Sequence, residues 1–181
     1  VCDAIESVLA QSFENFEFLI VDDGSTDSTM DKIDSFSDSR LIVIRNLENV
    51  GLTRSLNIGL KAARGTYIAR QDADDISLRL RFEKQILYLN NNAKVKLLGT
   101  GGQYIDDENY VFGQVHVPVN PHQELRSINP FVHGSVMIDR SLATQLGGYD
   151  EFFQFGQDYE LWGRIASVHK VAILRDRLYL R

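Results

Sequence analysis

Three short apolar runs, each leading into residues that recur at helical spacing, constrain this chain more than any other feature. They are F-E-F-L-I-V at 16–21, L-I-V-I at 41–44 and Y-I-A at 67–69. Runs of this length with little polar alternation read as strands buried on both faces, as in a parallel sheet. Around them, Ile5, Val8 and Leu9 share one helical face, and Met30, Ile33 and Phe36 share another. Residues 53–63 form a third helix that stops at Gly65, and a longer one over about 78–91 carries Phe82, Ile86 and Leu89. Asp3 with Glu6 three positions on has the pattern of a capping box. Alternation of this kind gives an α/β domain with a mostly parallel central sheet flanked by helices.

The rhythm changes after residue 94. A strand over 95–100 is followed by Gly101-Gly102, a turn at 106–109 and a second strand over 110–117 that looks antiparallel and partly exposed. The C-terminal half therefore adds a small antiparallel part, and its three prolines, Pro118, Pro121 and Pro130, mark it as loop-rich. No repeat or linker divides the chain, so residues 1–181 read as one domain.

Composition excludes several functions. A net charge of -6 leaves no basic stripe for nucleic acid. The single cysteine, Cys2, permits no internal disulfide and points to a reducing compartment, so a cytoplasmic location is expected. No apolar run reaches the roughly 18 residues that a membrane span needs. A soluble or peripherally attached protein follows, with the oligomeric state left open.

Two acidic clusters give the chain its chemistry. L-I-V-D-D-G-S-T-D at 19–27 ends a strand on Asp22 and Asp23, and R-Q-D-A-D-D at 70–75 ends another on Asp72, Asp74 and Asp75. Ligands of open α/β sheets bind at the carboxyl ends of the strands, so five carboxylates would converge on one edge. Like charges held together raise one another's pKa, which a divalent cation relieves. Oxygen-only ligands suit Mg²⁺ or Mn²⁺, completed by substrate phosphates. A metal-bridged diphosphate is the natural occupant, with Arg54, Arg70, Arg79 and Arg81 placed to meet its remaining charge. Blander readings stand beside this one: Asp-Gly is ordinary turn chemistry, and Asp75 or Ser77 could cap the next helix.

Five segments, taken together, resemble the family 2 glycosyltransferases. They are A-I-E-S-V-L-A-Q-S-F (4–13), F-L-I-V-D-D-G-S-T-D-S-T (18–29), N-V-G-L-T-R-S-L-N-I-G-L-K-A-A-R-G-T-Y-I-A-R-Q-D-A-D-D (49–75), N-P-F-V-H-G-S-V-M-I (129–138) and G-G-Y-D-E-F-F-Q-F-G-Q-D-Y-E-L-W-G-R (147–164). The resemblance implies the GT-A fold, with a Rossmann-like sheet, a nucleotide-binding half over 1–94 and an acceptor-side half over 95–181. It implies transfer of a sugar, with inversion, from a nucleotide-diphosphate sugar, here a UDP-sugar, to the hydroxyl of a saccharide or lipid-linked saccharide. Bacterial surface polysaccharide synthesis at the inner face of the membrane is the implied setting. By the same resemblance Asp22 and Asp23 would contact the nucleotide base, Asp72 the ribose or donor sugar, and Asp74 the metal. Arg54 and Asn57 would shape the nucleotide side of the pocket, and Asp158 would be the catalytic base.

The chain departs from the family pattern in two places. The usual Glu-Asp pair is here Gln157-Asp158, one charge fewer beside the base. The family's first strand, of the V-S-V-I-I-P-x-Y-N type, is absent, so a gap beside the strand of 16–21 and further chain upstream of Val1 and downstream of Arg181 are expected. For Asp158 a helix cap is the rival reading; Trp162 is expected in the core, and His133 as a structural histidine. Two alternatives of function remain: a non-catalytic nucleotide-sugar-binding domain, and a receiver-like domain in which Asp23 and Asp72 mimic a phosphoacceptor site.

Overall fold

Leu97 and Leu98 show how the domain is layered. They are adjacent on one strand, so their side chains point to opposite faces, and both are fully buried. The computed structural model describes residues 1–181, and in it that strand, β5 (Val95–Ile105), is the spine of the sheet. Leu97 packs with Val136, Ile138, Leu161, Trp162 and Ile165 on one side. Leu98 packs with Val8, Phe82, Leu89 and Met137 on the other.

The N-terminal half follows the periodicities of the sequence. Helix α1 (Cys2–Leu9) buries Ala4, Ile5 and Val8. Val1 occupies its N-cap without a side-chain hydrogen bond, so the expected capping box does not form. Strand β1 (Phe18–Asp22), helix α2 (Thr29–Asp34) and strand β2 (Leu41–Arg45) make a crossover, with β1 and β2 parallel from Phe18 opposite Leu41 to Asp22 opposite Arg45. Helix α3 (Leu52–Ala62) leads to β3 (Tyr67–Ala69). A two-residue strand, β4 (Ile76–Ser77), precedes α4 (Arg81–Asn91).

After β5 come β6 (Val111–Gln114), α5 (Pro121–Glu124), a 3₁₀ turn (His133–Ser135), β7 (Met137–Asp139), α6 (Arg140–Gln145), α7 (Gln157–Val168) and β8 (Lys170–Leu180). The larger sheet has the order β3-β7-β5-β8-β4, with β6 on β5. Within it only β5 and β8 are parallel; the β3–β7, β5–β7, β4–β8 and β5–β6 pairs are antiparallel. The domain is α/β as expected, but its sheet is mixed rather than mostly parallel. The physical reason is connectivity: a parallel pair needs a long crossover, whereas antiparallel neighbours need only a chain reversal. The glycine pair 101–102 also does not end β5; the strand passes through both, and its register against β8 shifts there. No helix is long and apolar enough to cross a membrane.

Strands β1 and β3 each have one unpaired edge, because β1 pairs only with β2 and β3 only with β7. Both edges line a cavity of about 370 Å³ whose walls include Ile5, Val8, Ile20, Leu56 and Ile68. Unpaired ladder groups against an apolar hollow are costly, and a further strand in this position would satisfy both edges. Extending the chain upstream of Val1 by an apolar strand of about five residues is therefore expected to slow amide hydrogen exchange in β1 and β3 together. Unchanged exchange in both strands would show that the cavity is not a strand seat.

Candidate active site

Asp72 leaves the end of β3 in a half-buried position, and three contacts fix it. Its Oδ1 accepts from the Arg70 guanidinium at 2.6 Å, and its backbone N–H donates to the Tyr179 hydroxyl at 3.0 Å. The 3₁₀ turn passes so close that a Cβ on Gly134 would overlap both the Tyr179 hydroxyl and Asp72 Oδ2. Beneath these groups lies Arg81, fully buried, donating to the carbonyls of Gly134 (2.7 Å) and Arg70 (2.8 Å). Burial lowers its pKa only to about 10, so it stays cationic. Arg81 is thus a support for the site and cannot meet a substrate phosphate, contrary to the expectation from its sequence position.

Asp74 and Asp75 diverge from Asp72. Asp74 is exposed and forms no ion pair, whereas Asp75 is buried. Burial raises the Asp75 carboxyl to about 6; a hydrogen bond with Tyr179 opposes this, and the charges of Asp72 and Asp74 add to it. Neither Asp75 nor Ser77 caps the next helix, since Leu80 holds the N-cap of α4 and Ser77 lies in β4. No three His, Cys, Asp or Glu side chains come together to hold a metal by themselves. The donor set nonetheless fits Mg²⁺ or Mn²⁺ on a diphosphate, because such an ion needs only one or two carboxylates and takes its other ligands from phosphate and water.

The first acidic pair is separate. Asp22 is buried at the end of β1, and no hydrogen bond joins it or Asp23 to the Asp72 group. Asp23 Oδ1 accepts from Asn46 (2.8 Å) and the Val50 amide (3.0 Å), and its Oδ2 from the Gly51 amide (2.9 Å). Burial works against its charge, but these donors outweigh burial and hold its carboxyl below the usual range. Asp23 therefore ties the end of β1 to the start of α3, work that the Asp-Gly turn signal did not reveal. The two acidic clusters, expected on one edge of the sheet, are thus held by separate hydrogen-bond networks.

Arg54 also points elsewhere, pairing with Glu151 at 3.2 Å on the surface. Asn57 exchanges hydrogen bonds with both backbone groups of Tyr149, each at 2.9 Å. These contacts dock the 147–156 loop on α3 and present Tyr149 to His133, whose Nε2 lies 3.2 Å from the Tyr149 hydroxyl. Burial, then the charge of Arg70, lowers the His133 pKa to about 4 against the pull of Asp158 and Asp72, so its ring is neutral. Trp162, fully buried, packs edge-on against His133, Tyr149 and Phe131.

Asp158 completes the group. It sits in the first turn of α7 but does not cap it, since Gly156 holds that place in a left-handed conformation. Its Oδ2 instead accepts from Asn129 at 2.7 Å. Gln157 is buried, where a second carboxylate would carry a desolvation cost beside Asp158. The structure thus joins Asp72 to Arg70 and His133 to Tyr149, and the His133 ring feels the charges of Arg70, Asp158 and Asp72 together. Sequence spacing named Arg81 but for another role, and it missed Asn129, Tyr149 and Tyr179, because each acts across a long stretch of chain or through a loop without periodicity.

The pattern of "Glycosyl transferase family 2" matches residues 1–147. The chain belongs to that family. Among family 2 relatives, EpsE of Bacillus subtilis, which carries a glycosyltransferase name, is 36% identical over 170 residues, covering 91% of this chain and 61% of its own length. The amylovoran biosynthesis glycosyltransferase AmsE of Erwinia amylovora is 34% identical, with 96% and 67% covered. The UDP-Glc:alpha-D-GlcNAc-diphosphoundecaprenol beta-1,3-glucosyltransferase WfaP of Escherichia coli is 32% identical, with 90% and 63% covered. The chain therefore spans about three fifths of the length of relatives such as EpsE and WfaP. In fold it is similar to S. aureus TarS in complex with UDP (TM-score 0.80, 17% identity, 99% of this chain and 55% of that one). It is also similar to the mannosyltransferase PcManGT of Pyrobaculum calidifontis with GDP-Man and Mn²⁺ (TM-score 0.75, 19% identity, 98% and 51%). These glycosyltransferase neighbours bear out the GT-A reading, and family membership retires the receiver-like alternative.

Two stability measurements separate these roles. Asp23→Ala is expected to cost about 2–3 kcal/mol in urea unfolding by stranding two backbone amides and Asn46, while Asp74→Ala stays within about 0.5 kcal/mol of the parent. For His133 the folded pKa of about 4 lies below the ordinary 6.5. Its neutral form thus contributes stability that is complete above pH 6.5 and lost as pH falls toward 4, about 3 kcal/mol in all. His133→Gln should flatten that part of the stability profile relative to the parent; parallel profiles would contradict the assignment.

Proposed function

We propose that this chain is the catalytic domain of an inverting glycosyltransferase that moves a sugar from a UDP-sugar to the hydroxyl of a saccharide or lipid-linked saccharide. The observation that carries this reading is the Asp158 carboxylate. One oxygen is held by Asn129, the charge of the carboxylate reaches the same His133 ring as that of Asp72, and it is neither a helix cap nor an ion-pair partner. A carboxylate held this way suits a general base. Asp158 takes the proton of the acceptor hydroxyl as its oxygen bonds to the anomeric carbon, and the bond from that carbon to the diphosphate breaks with its electron pair leaving on the nucleotide. An ordinary aspartate is a weak base, so proton transfer comes late, once the attacking oxygen has become acidic.

Asp74 is the residue that would hold Mg²⁺ or Mn²⁺, and Asp72, braced by Arg70, would face the ribose or donor sugar. When bound, the ion supplies charge stabilisation for the leaving diphosphate. Asp22 and Asp23 are assigned the nucleotide side, Asp23 chiefly by fixing the β1–α3 junction. The printed names of WfaP and AmsE support a diphosphate-linked lipid acceptor and a place in polysaccharide synthesis.

The test is a panel of UDP-glucose, UDP-galactose, UDP-N-acetylglucosamine and GDP-mannose, each with and without Mn²⁺, read by release of nucleoside diphosphate. Asp74→Asn is expected to abolish the Mn²⁺ dependence of donor binding. Asp158→Asn should retain donor binding and lose transfer by about a thousandfold. Unchanged metal dependence in the first, or full turnover in the second, would defeat the assignments; binding without turnover in the parent would mark a non-catalytic nucleotide-sugar-binding domain.

A further inference from the structure

Asn129 takes no part in the proton transfer itself, yet its side chain is committed at both ends. Its Oδ1 accepts from the Phe131 amide at 3.1 Å, and its Nδ2 donates to Asp158 Oδ2 at 2.7 Å. The amide orientation follows from this pair of contacts, because a carboxylate offers only acceptors and the Phe131 N–H only a donor. Pro130 restricts the backbone of Asn129 to extended conformations. Phe131 is buried and packs edge-on against Trp162, which belongs to the helix that carries Asp158. The loop that presents the amide and the helix that presents the carboxylate are therefore pinned to one core, and their separation is fixed.

We propose that Asn129 is the positioning residue of Asp158. Its N–H occupies Oδ2 and holds the carboxylate rotor, so that Oδ1 is the oxygen turned to the acceptor hydroxyl. This rests on the reading of Asp158 as the base. Asn129 touches no substrate; it acts by removing the rotational freedom of a carboxylate that must meet a proton within hydrogen-bond reach.

The isosteric variant Asn129→Asp tests this. It keeps the acceptor for the Phe131 amide, and so the loop, while replacing the amide donor with a second carboxyl group that either repels the Asp158 carboxylate or shares a proton with it, and either outcome spoils the base. In the whole protein, with UDP-glucose, UDP-galactose and UDP-N-acetylglucosamine as donors and water as acceptor, kcat for UDP release is expected to fall about ten- to hundredfold. Affinity for UDP with Mn²⁺ should stay within about twofold, a kcat loss that a general structural defect would not isolate. The swapped pair, Asn129→Asp with Asp158→Asn, restores the hydrogen bond and should recover the melting temperature without recovering turnover. A parental kcat in Asn129→Asp, or UDP affinity falling in step with kcat, overturns the proposal. Should Asp158→Asn alone retain turnover, the base reading itself fails, and that outcome is distinct from a loss in Asp158→Asn beside a parental Asn129→Asp.

Discussion

The buried guanidinium of Arg81 is the interaction on which the site depends. A cation removed from water must be compensated locally, and here no carboxylate touches it. Two carbonyls and two aromatic faces do so instead: Gly134 and Arg70 by hydrogen bonds, Phe82 and Tyr179 by rings 4.8 and 5.2 Å away. One carbonyl is two residues before Asp72 and the other is next to His133. The planar fork of arginine can bridge both while lying flat on a ring, which an ammonium cannot. The cost of burying the charge thus becomes geometry, since neither the β3 end nor the 3₁₀ turn can move without stranding it.

On that support the carboxylates divide by environment rather than by sequence neighbourhood. Asp22 and Asp23 are adjacent, and so are Asp74 and Asp75, yet within each pair the burial differs. Asp23 is saturated by internal donors, and Asp75 is pushed toward neutrality by burial. Asp74 stays open, and Asp158 keeps one oxygen held. A group meant to receive a ligand has to retain unsatisfied bonding capacity, and Asp72, Asp74 and Asp158 each keep at least one oxygen without an internal donor. Arg70 sits between the two regimes: it is spent on Asp72, but its charge also helps keep His133 neutral.

Much of the fold was legible because the signals are local. The strand at 67–69 and the helix faces through Ile5, Val8, Phe82 and Leu89 follow from periodicity alone. What was not legible is set by partners far along the chain. Strand β5 passes through Gly101 and Gly102 because β8 and β6 supply its ladder, and β4 exists only because Tyr179 and Leu180 return beside it. In the site the residue types were readable but the occupancy was not. An Asp-Asp-Gly triplet looks the same whether its carboxylate awaits a ligand or accepts three internal donors. Asn129 and Arg81 carry no local mark of the contacts that make them matter.

The cavity between β1 and β3 connects these two levels. One end of its lining is Asp72 and Ala73, and its opposite wall is β1, whose end carries the acidic pair. The spacing between the Asp23 junction and the Asp72 cluster is therefore set by whatever fills the hollow, because neither strand is bonded to the other across it. Packed interiors transmit displacement rather than absorb it. A strand in that position would do more than satisfy two ladders: it would lock the Asp23 junction at a fixed distance from the Asp72 group. Donor affinity and the stability of the β1–β3 region should consequently rise or fall together, as two readings of the same packing constraint.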